Sequence, residues 1–189
     1  AKAFEAIRFK VSDSGNGDNV PTIVKSIRLS RTSIQNIATL NKTIEGVLAK
    51  KDGVLCGISS VQIKSSYIDI FFTSESMVIP DGTSADISIW LYLKSEGLTD
   101  NQTIQFMVDR QNHAFTTYDG GSTFTPQFPE NITSNIFTID VRGTDLAFSQ
   151  IPDRVGVLEN FSIGVSATDI NQNIDKDFTG QVTIALASG

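Results

Sequence analysis

The stretch Ser84-Ala85-Asp86-Ile87-Ser88-Ile89-Trp90-Leu91-Tyr92-Leu93 decides the fold. Ile87, Ile89, Leu91 and Leu93 recur at every second position, and Asp86, Ser88, Trp90 and Tyr92 stand between them. Successive side chains of a strand point to opposite faces, so one face of this run is built for burial. The same period returns along the chain. Ile7, Phe9 and Val11 alternate with Arg8 and Lys10, and Val61 and Ile63 flank Gln62. Ile68, Ile70 and Phe72 follow, then Ile104, Phe106 and Val108, then Phe137, Ile139 and Val141. Phe161, Ile163, Val165 and Ala167 continue the pattern, and Val182, Ile184 and Leu186 close it.

Turn chemistry separates these runs. Asp52-Gly53, Asp81-Gly82 and Asp119-Gly120-Gly121 supply positions that tolerate positive φ, and Ser14-Gly15-Asn16-Gly17-Asp18-Asn19 is a longer polar loop. Short strands punctuated in this way predict an all-β, antiparallel β-sandwich. One tract departs from the pattern. Ile34, Ile37, Leu40, Ile44, Val47 and Leu48 fall near helical spacing, but Asn41, Thr43 and Gly46 are poor helix formers. A short helical segment near 32–40 and a strand near 44–49 are expected, the alternative being an irregular loop with two buried isoleucines.

The chain of 189 residues carries 15 Lys+Arg against 21 Asp+Glu, a net charge of −6. An acidic surface repels phosphate backbones, which argues against nucleic acid as a partner. The single Cys cannot form an internal disulfide, and one Cys with one His cannot build a Cys/His zinc site. The apolar share of 40% suffices for a core. Charged residues, at 19%, fall below the usual ~25%, and Ser, Thr, Asn and Gln are plentiful, as in many secreted β-proteins. No run of ~18 apolar residues is present, so no membrane insertion is expected, and no signal-peptide pattern is visible at Ala1.

Arg142-Gly143-Thr144-Asp145 interrupts the alternation, and Leu146 to Gln150 reads as a strand that Pro152 ends. Two domains are expected: a β-sandwich over 1–143 and an incomplete immunoglobulin-like sandwich over 144–189. Such a sandwich needs about 100 residues and seven strands, and only three or four strands are present here. The expectation is that the chain belongs to a longer protein. The alternatives are that these strands pack on the first domain or that a neighbouring chain completes them.

Candidate chemistry is sparse. Asp13, Asn16, Asp18 and Asn19 place two carboxylates and two amides within seven residues, and Ca²⁺ takes six to eight oxygen ligands. The competing reading is a polar turn in which Asp and Asn bind their own backbone. Asp169 to Asp175 has oxygen ligands at alternate positions but lacks the Gly and the final Glu of an EF-hand, so an interstrand turn is expected there. Trp90 and Tyr92 share one strand face. If that face is open they form a platform for sugar rings; if it is covered, Trp90 is core, the usual place for Trp in such a sandwich. Cys56, beside Gly57 in an expected strand, reads as a small buried apolar group, and His113 as a loop or strand-edge residue. No phosphate loop is present, because Gly15-Asn16-Gly17-Asp18 carries its own negative charge and no Lys-Ser/Thr follows it.

Two resemblances follow from longer stretches. Val157-Leu158-Glu159-Asn160-Phe161-Ser162-Ile163, Ala167-Thr168-Asp169-Ile170-Asn171-Gln172-Asn173-Ile174-Asp175 and Phe178-Thr179-Gly180-Gln181-Val182-Thr183-Ile184 resemble the bacterial immunoglobulin-like repeats of large surface adhesins, with Gln172 where the repeat usually has Gly. Phe9 to Val24, Ile44-Glu45-Gly46-Val47, Ile79 to Ser84, Tyr92-Leu93-Lys94 and Leu98 to Thr103 resemble β-domains of giant Bacteroidota cell-surface proteins, including gliding-motility adhesins and other type IX secretion cargo. The tract 31–43 has no counterpart in that pattern. These likenesses imply an extracellular module at the bacterial cell surface, non-catalytic, structural and adhesive. Its partners would be glycans, surface proteins and neighbouring domains of its own chain, and no cofactor beyond Ca²⁺ is implied. The alternative expectation is a carbohydrate-binding module of a secreted hydrolase, with Trp90 and Tyr92 as its contacts.

Overall fold

The computed structural model describes residues 2–15, 17–154 and 156–185. The chain is all-β with antiparallel strand pairing, and among the described residues there is one helical turn. In chain order the elements are β1 (Phe4–Ser12), β2 (Thr22–Arg31), α1 (Leu40–Thr43), β3 (Ile44–Lys51), β4 (Val54–Leu55), β5 (Ile58–Ile63), β6 (Tyr67–Phe72), β7 (Val78–Ile79) and β8 (Ser84–Leu93). They continue as β9 (Thr103–Ile104), β10 (Phe106–Val108), β11 (Thr116–Thr117), β12 (Ile132–Thr133), β13 (Phe137–Thr138), β14 (Asp145–Gln150) and β15 (Gly164–Thr168). The chain divides into two compact units. Unit 1 comprises 1–95 and 102–138; unit 2 comprises 96–101 and 139–189. The division falls a few residues before the expected one at 143/144, and unit 2 also claims a segment from the middle of the chain.

Unit 1 is a two-layer sandwich. One sheet runs β1-β8-β3-β4 and the other β12-β10-β2-β6-β5, with β7 and β11 also paired to β2. β8 is central in the first sheet because its alternation offers an unbroken apolar row: Ala85, Ile87, Ile89 and Leu91 are all buried. Ile7, Phe9 and Val11 lie beside that row in register with Ile89, Ile87 and Ala85. Leu29, Ile68, Ile70, Phe72 and Phe106 form the facing layer, each almost wholly excluded from water. Full burial of such side chains contributes roughly 1.5–3 kcal/mol each. The β3–β4 hairpin turns at Asp52 and Gly53, with φ of 50° and 83°, the left-handed pair that a two-residue turn demands.

The tract 32–40 is not helical, so the expected helix there is corrected. The single helical turn begins only at Leu40. Asn36 adopts φ of 53°, which breaks any right-handed helix, and the backbone N–H groups of Thr32 and Ala38 donate to Gln105 and Thr103 carbonyls instead. The run 104–108 is likewise not one strand. β9 pairs with β13 and β10 with β2 and β12, so the chain changes sheets between Ile104 and Phe106. The strand expected near 44–49 is present as β3.

Among its described residues unit 2 holds one two-stranded ladder, β14 with β15, in which Leu146 faces Ala167 and Phe148 faces Val165. The runs expected as strands are shorter than their alternation suggested. Ile139 and Val141 are buried but not in a strand, residues 161–163 precede β15 without pairing, and 181–185 carry no strand. Leu186, expected in the last strand, lies outside the described residues. A ladder needs a partner as well as a period. Among the described residues these runs have none.

Candidate functional site

The loop from Asp13 to Asn19 gathers acidic groups whose oxygens accept hydrogen bonds from backbone N–H groups and a threonine hydroxyl. Asp13 is buried; its Oδ1 accepts the Gly15 N–H at 3.0 Å and its Oδ2 the Thr22 hydroxyl at 2.6 Å. The Thr22 bond leads the forces that hold this carboxyl below the usual range, over the upward push of burial, with the Gly15 and Gly82 N–H groups and the Ser122 hydroxyl helping. Asp18 Oδ1 accepts the Val20 N–H and Asp81 Oδ2 the Asn19 N–H, each at 2.9 Å. Gly15 is required here: it has φ of 52°, and a Cβ on it would stand 2.6 Å from Asp81 and Gly82. Asn16, the fourth candidate ligand, lies outside the described residues. The sequence named Asp13, Asp18 and Asn19; it missed Asp81, which is 62 residues from its partner Asn19.

A second acidic set lies within unit 2. Asp100, Asp175 and Asp177 each offer an oxygen, all within 4.8 Å of one another. Asp100 is only 1% exposed, with Oδ1 accepting the Val141 N–H at 2.8 Å and Oδ2 the Lys176 N–H at 2.9 Å. Burial pushes its carboxyl up, but those donors, the Asn101 N–H and the Lys176 charge outweigh it, so the group sits below the ordinary carboxylate range. Asp175 Oδ2 accepts the Gly143 N–H, and Asn101 donates to Asp177. Three carboxylates at this spacing are chemically suited to a hard divalent cation. Sequence pattern linked Asp175 to the 169–175 turn but gave no sign of Asp100. Asp169 braces that turn as expected, accepting the Asn171 and Asn173 N–H groups at 2.9 Å. Gln172 takes φ of 64°, the left-handed conformation that Gly would adopt without strain.

Trp90 and Tyr92 lie on the face of β8 opposite Ile89 and Leu91, both partly buried. Trp90 is thus neither fully buried, as a core tryptophan would be, nor fully exposed, and Ser88 on the same face is buried. Trp90 Nε1 donates to Ser88 Oγ at 3.1 Å, and Lys50 Nζ stands 4.2 Å from the ring centroid. One ring face is thus already engaged by an ammonium.

Cys56 and His113, the one thiol and the one imidazole, lie in different loops of unit 1. Cys56 is half-buried and lies between β4 and β5 rather than in a strand; burial pushes its thiol up, away from the reactive thiolate. His113 is buried between β10 and β11, stacks on Phe128 at 4.1 Å, and accepts the Phe115 N–H at Nδ1. Its ring is part of an aromatic cluster with Phe115 and Phe128. Comparison with protein-family models, curated proteins and solved structures gives no match to this chain.

Proposed function

We propose that the chain is a non-catalytic structural and adhesive module of a long, multidomain bacterial cell-surface protein. One observation carries this reading: the buried carboxylates are braces. Asp13 ties the 13–22 loop to itself, and Asp100 ties residues 141 and 176 to the 96–101 segment within unit 2. A carboxylate both of whose oxygens accept hydrogen bonds from the surrounding chain, as Asp13 and Asp100 do, is held in place as a brace. Shape is what a spacer supplies. No described helix is long and apolar enough to cross a membrane, which fits a module carried by neighbouring domains of its chain. Extension of tandem copies by atomic-force microscopy tests the reading. The expected record is a force peak for each copy of unit 1; featureless extension would defeat it. Melting with ~1 mM CaCl₂ and with chelator separates two forms of the reading. An unchanged curve leaves both acidic sets as braces, and a calcium-dependent rise adds a stiffening ion.

The partial exposure of Trp90 and Tyr92 on one face of β8 favours a second reading, a carbohydrate-binding module that uses them. A sugar ring stacking there displaces Lys50 from the indole. Glycan-array binding lost in Trp90→Ala, with the fold intact by circular dichroism, would favour this reading over the first.

A further inference from the structure

We infer that the free edge of β1 is a docking groove for an extended, basic peptide that adds a strand to the first sheet. β1 ends its sheet and pairs only with β8. The phase of that pairing fixes which backbone groups are left over. The Asp13 N–H donates to the Thr83 carbonyl at 2.9 Å, in the same register that pairs Val11 with Ala85 and Phe9 with Ile87. N–H and C=O groups alternate sides along a strand, so those of Lys10 and Ser12 point to the free edge. Among the described residues no backbone hydrogen bond reaches them from that side. A row of unpaired donors and acceptors is a template for another strand and for little else.

The space beside this edge is a groove of about 760 Å³ within unit 1. The strand from Phe9 to Ser12 forms one wall, and Val108, Phe115, Phe124, Phe128 and Ile132 contribute to the other. The aromatic rings pack edge to face there: Phe115 lies 5.0 Å from Phe124 and 5.4 Å from Phe128. A strand laid on β1 would place the residues opposite Phe9 and Val11 into this apolar gap and those opposite Lys10 and Ser12 toward water. The groove therefore asks for alternating apolar and polar residues. Its charge selects further, since Asp13, Asp18 and Glu130 line it against Lys10 alone. A basic segment complements that balance. The inference stands apart from the module reading, because a spacer and a secreted enzyme's accessory domain could each carry such an edge.

The probe is a fluorescein-labelled peptide of sequence Lys-Thr-Val-Thr-Phe-Thr-Lys, titrated against the full chain by fluorescence anisotropy. Saturable binding below ~1 mM is expected, with slowed amide exchange at Lys10 and Ser12. The same peptide N-methylated on its threonine nitrogens keeps its side chains and charge but loses its pairing donors, and should bind at least about ten-fold more weakly. Exchanging both peptide lysines for glutamates should weaken binding to the native chain. The variant Glu130→Lys, on an exposed residue, should reverse that preference. Equal binding of the N-methylated peptide, unchanged exchange at Lys10 and Ser12, or indifference to the Glu130→Lys exchange would overturn the inference.

Discussion

Asp100 shows how one side chain can organise a unit. It is ionised in the fold because its N–H donors outweigh its burial. Asp100→Asn keeps the shape but turns an NH₂ toward a backbone N–H that needs an acceptor. The expected loss in unit 2 is about 1–3 kcal/mol. It should appear as faster amide exchange at Val141 and Lys176, while the fluorescence of Trp90, the only tryptophan and a member of unit 1, stays as it was. Unchanged exchange at those two amides would refute the brace. The same carboxyl sets a pH dependence. A folded pKa below the unfolded value of about 3.9 contributes stability in full above that value and loses it as pH falls through the folded pKa. Asp169 is shifted the same way: burial pushes it up, and the Asn173 side chain with the Asn173 and Asn171 N–H groups more than reverses this. Amide protection in unit 2 should therefore hold between about pH 5 and 8 and begin to fall only below about pH 4. A loss already complete at pH 5 would contradict it. The turn of Asp169 was legible in the sequence, since an Asx turn closes within a few residues. Asp100 was not, since its donors lie 41 and 76 residues away.

Elements were legible where the alternation keeps one phase. β8 and β6 do so, and both match their sequence reading. β2 does not: Val24 and Ser26 are buried on one phase, then Ile27 and Leu29 on the other. The shift falls where β2 passes from β11 toward its later pairing, so the strand at the centre of its sheet carries no clean period. What fixes β2 is pairing on both edges and one charged contact. Arg28 Nε and Nη2 donate to the two Asp69 oxygens at 2.7 and 2.8 Å, and the guanidinium carbon stands 4.0 Å from the Tyr67 ring centroid. The pair is partly shielded, which separates it from the exposed Arg8–Glu5 pair. Asp69→Asn keeps the size and removes the charge-assisted fork. A cost of about 1–2 kcal/mol is expected, lowering the unit 1 melting temperature by several degrees as followed at Trp90. Arg28→Lys should lose a similar amount, because an ammonium cannot match both oxygens in one plane. Melting of both variants within about 1 °C of the parent would show that the pair contributes nothing beyond its packing.

Across the whole chain the two units differ in how far their sequence pattern is satisfied. In unit 1 most of the alternating apolar residues of β1, β6 and β8 meet a second layer and are buried, among them Phe9, Ile68, Ile70, Phe72, Ile87, Ile89 and Leu91. In unit 2 only Ile139, Val141 and Ala167 are buried among its described apolar side chains, while Phe148 is 60% and Leu158 100% exposed. Alternation announces a face that wants burial, but it is silent on whether the covering layer exists. It is silent too on membership, and so the six residues Glu96–Asn101 belong to unit 2 without any local mark of it. A single two-stranded ladder is marginal in water, so β14–β15 should open far more often than the sheets of unit 1. Proteolysis under native conditions tracks such openings when closing outruns cleavage. Brief chymotrypsin treatment should cut first after Phe148, Leu158, Phe161 or Phe178 and leave a longer-lived fragment that keeps Trp90 and its folded fluorescence. Adding the protease after brief acidification to about pH 3.5 and return to neutral should give the same order of cuts, since the loss of carboxylate bracing is reversible. First cuts within 1–95, or loss of the Trp90 signal in step with cleavage beyond residue 145, would mean that the two units stand or fall together.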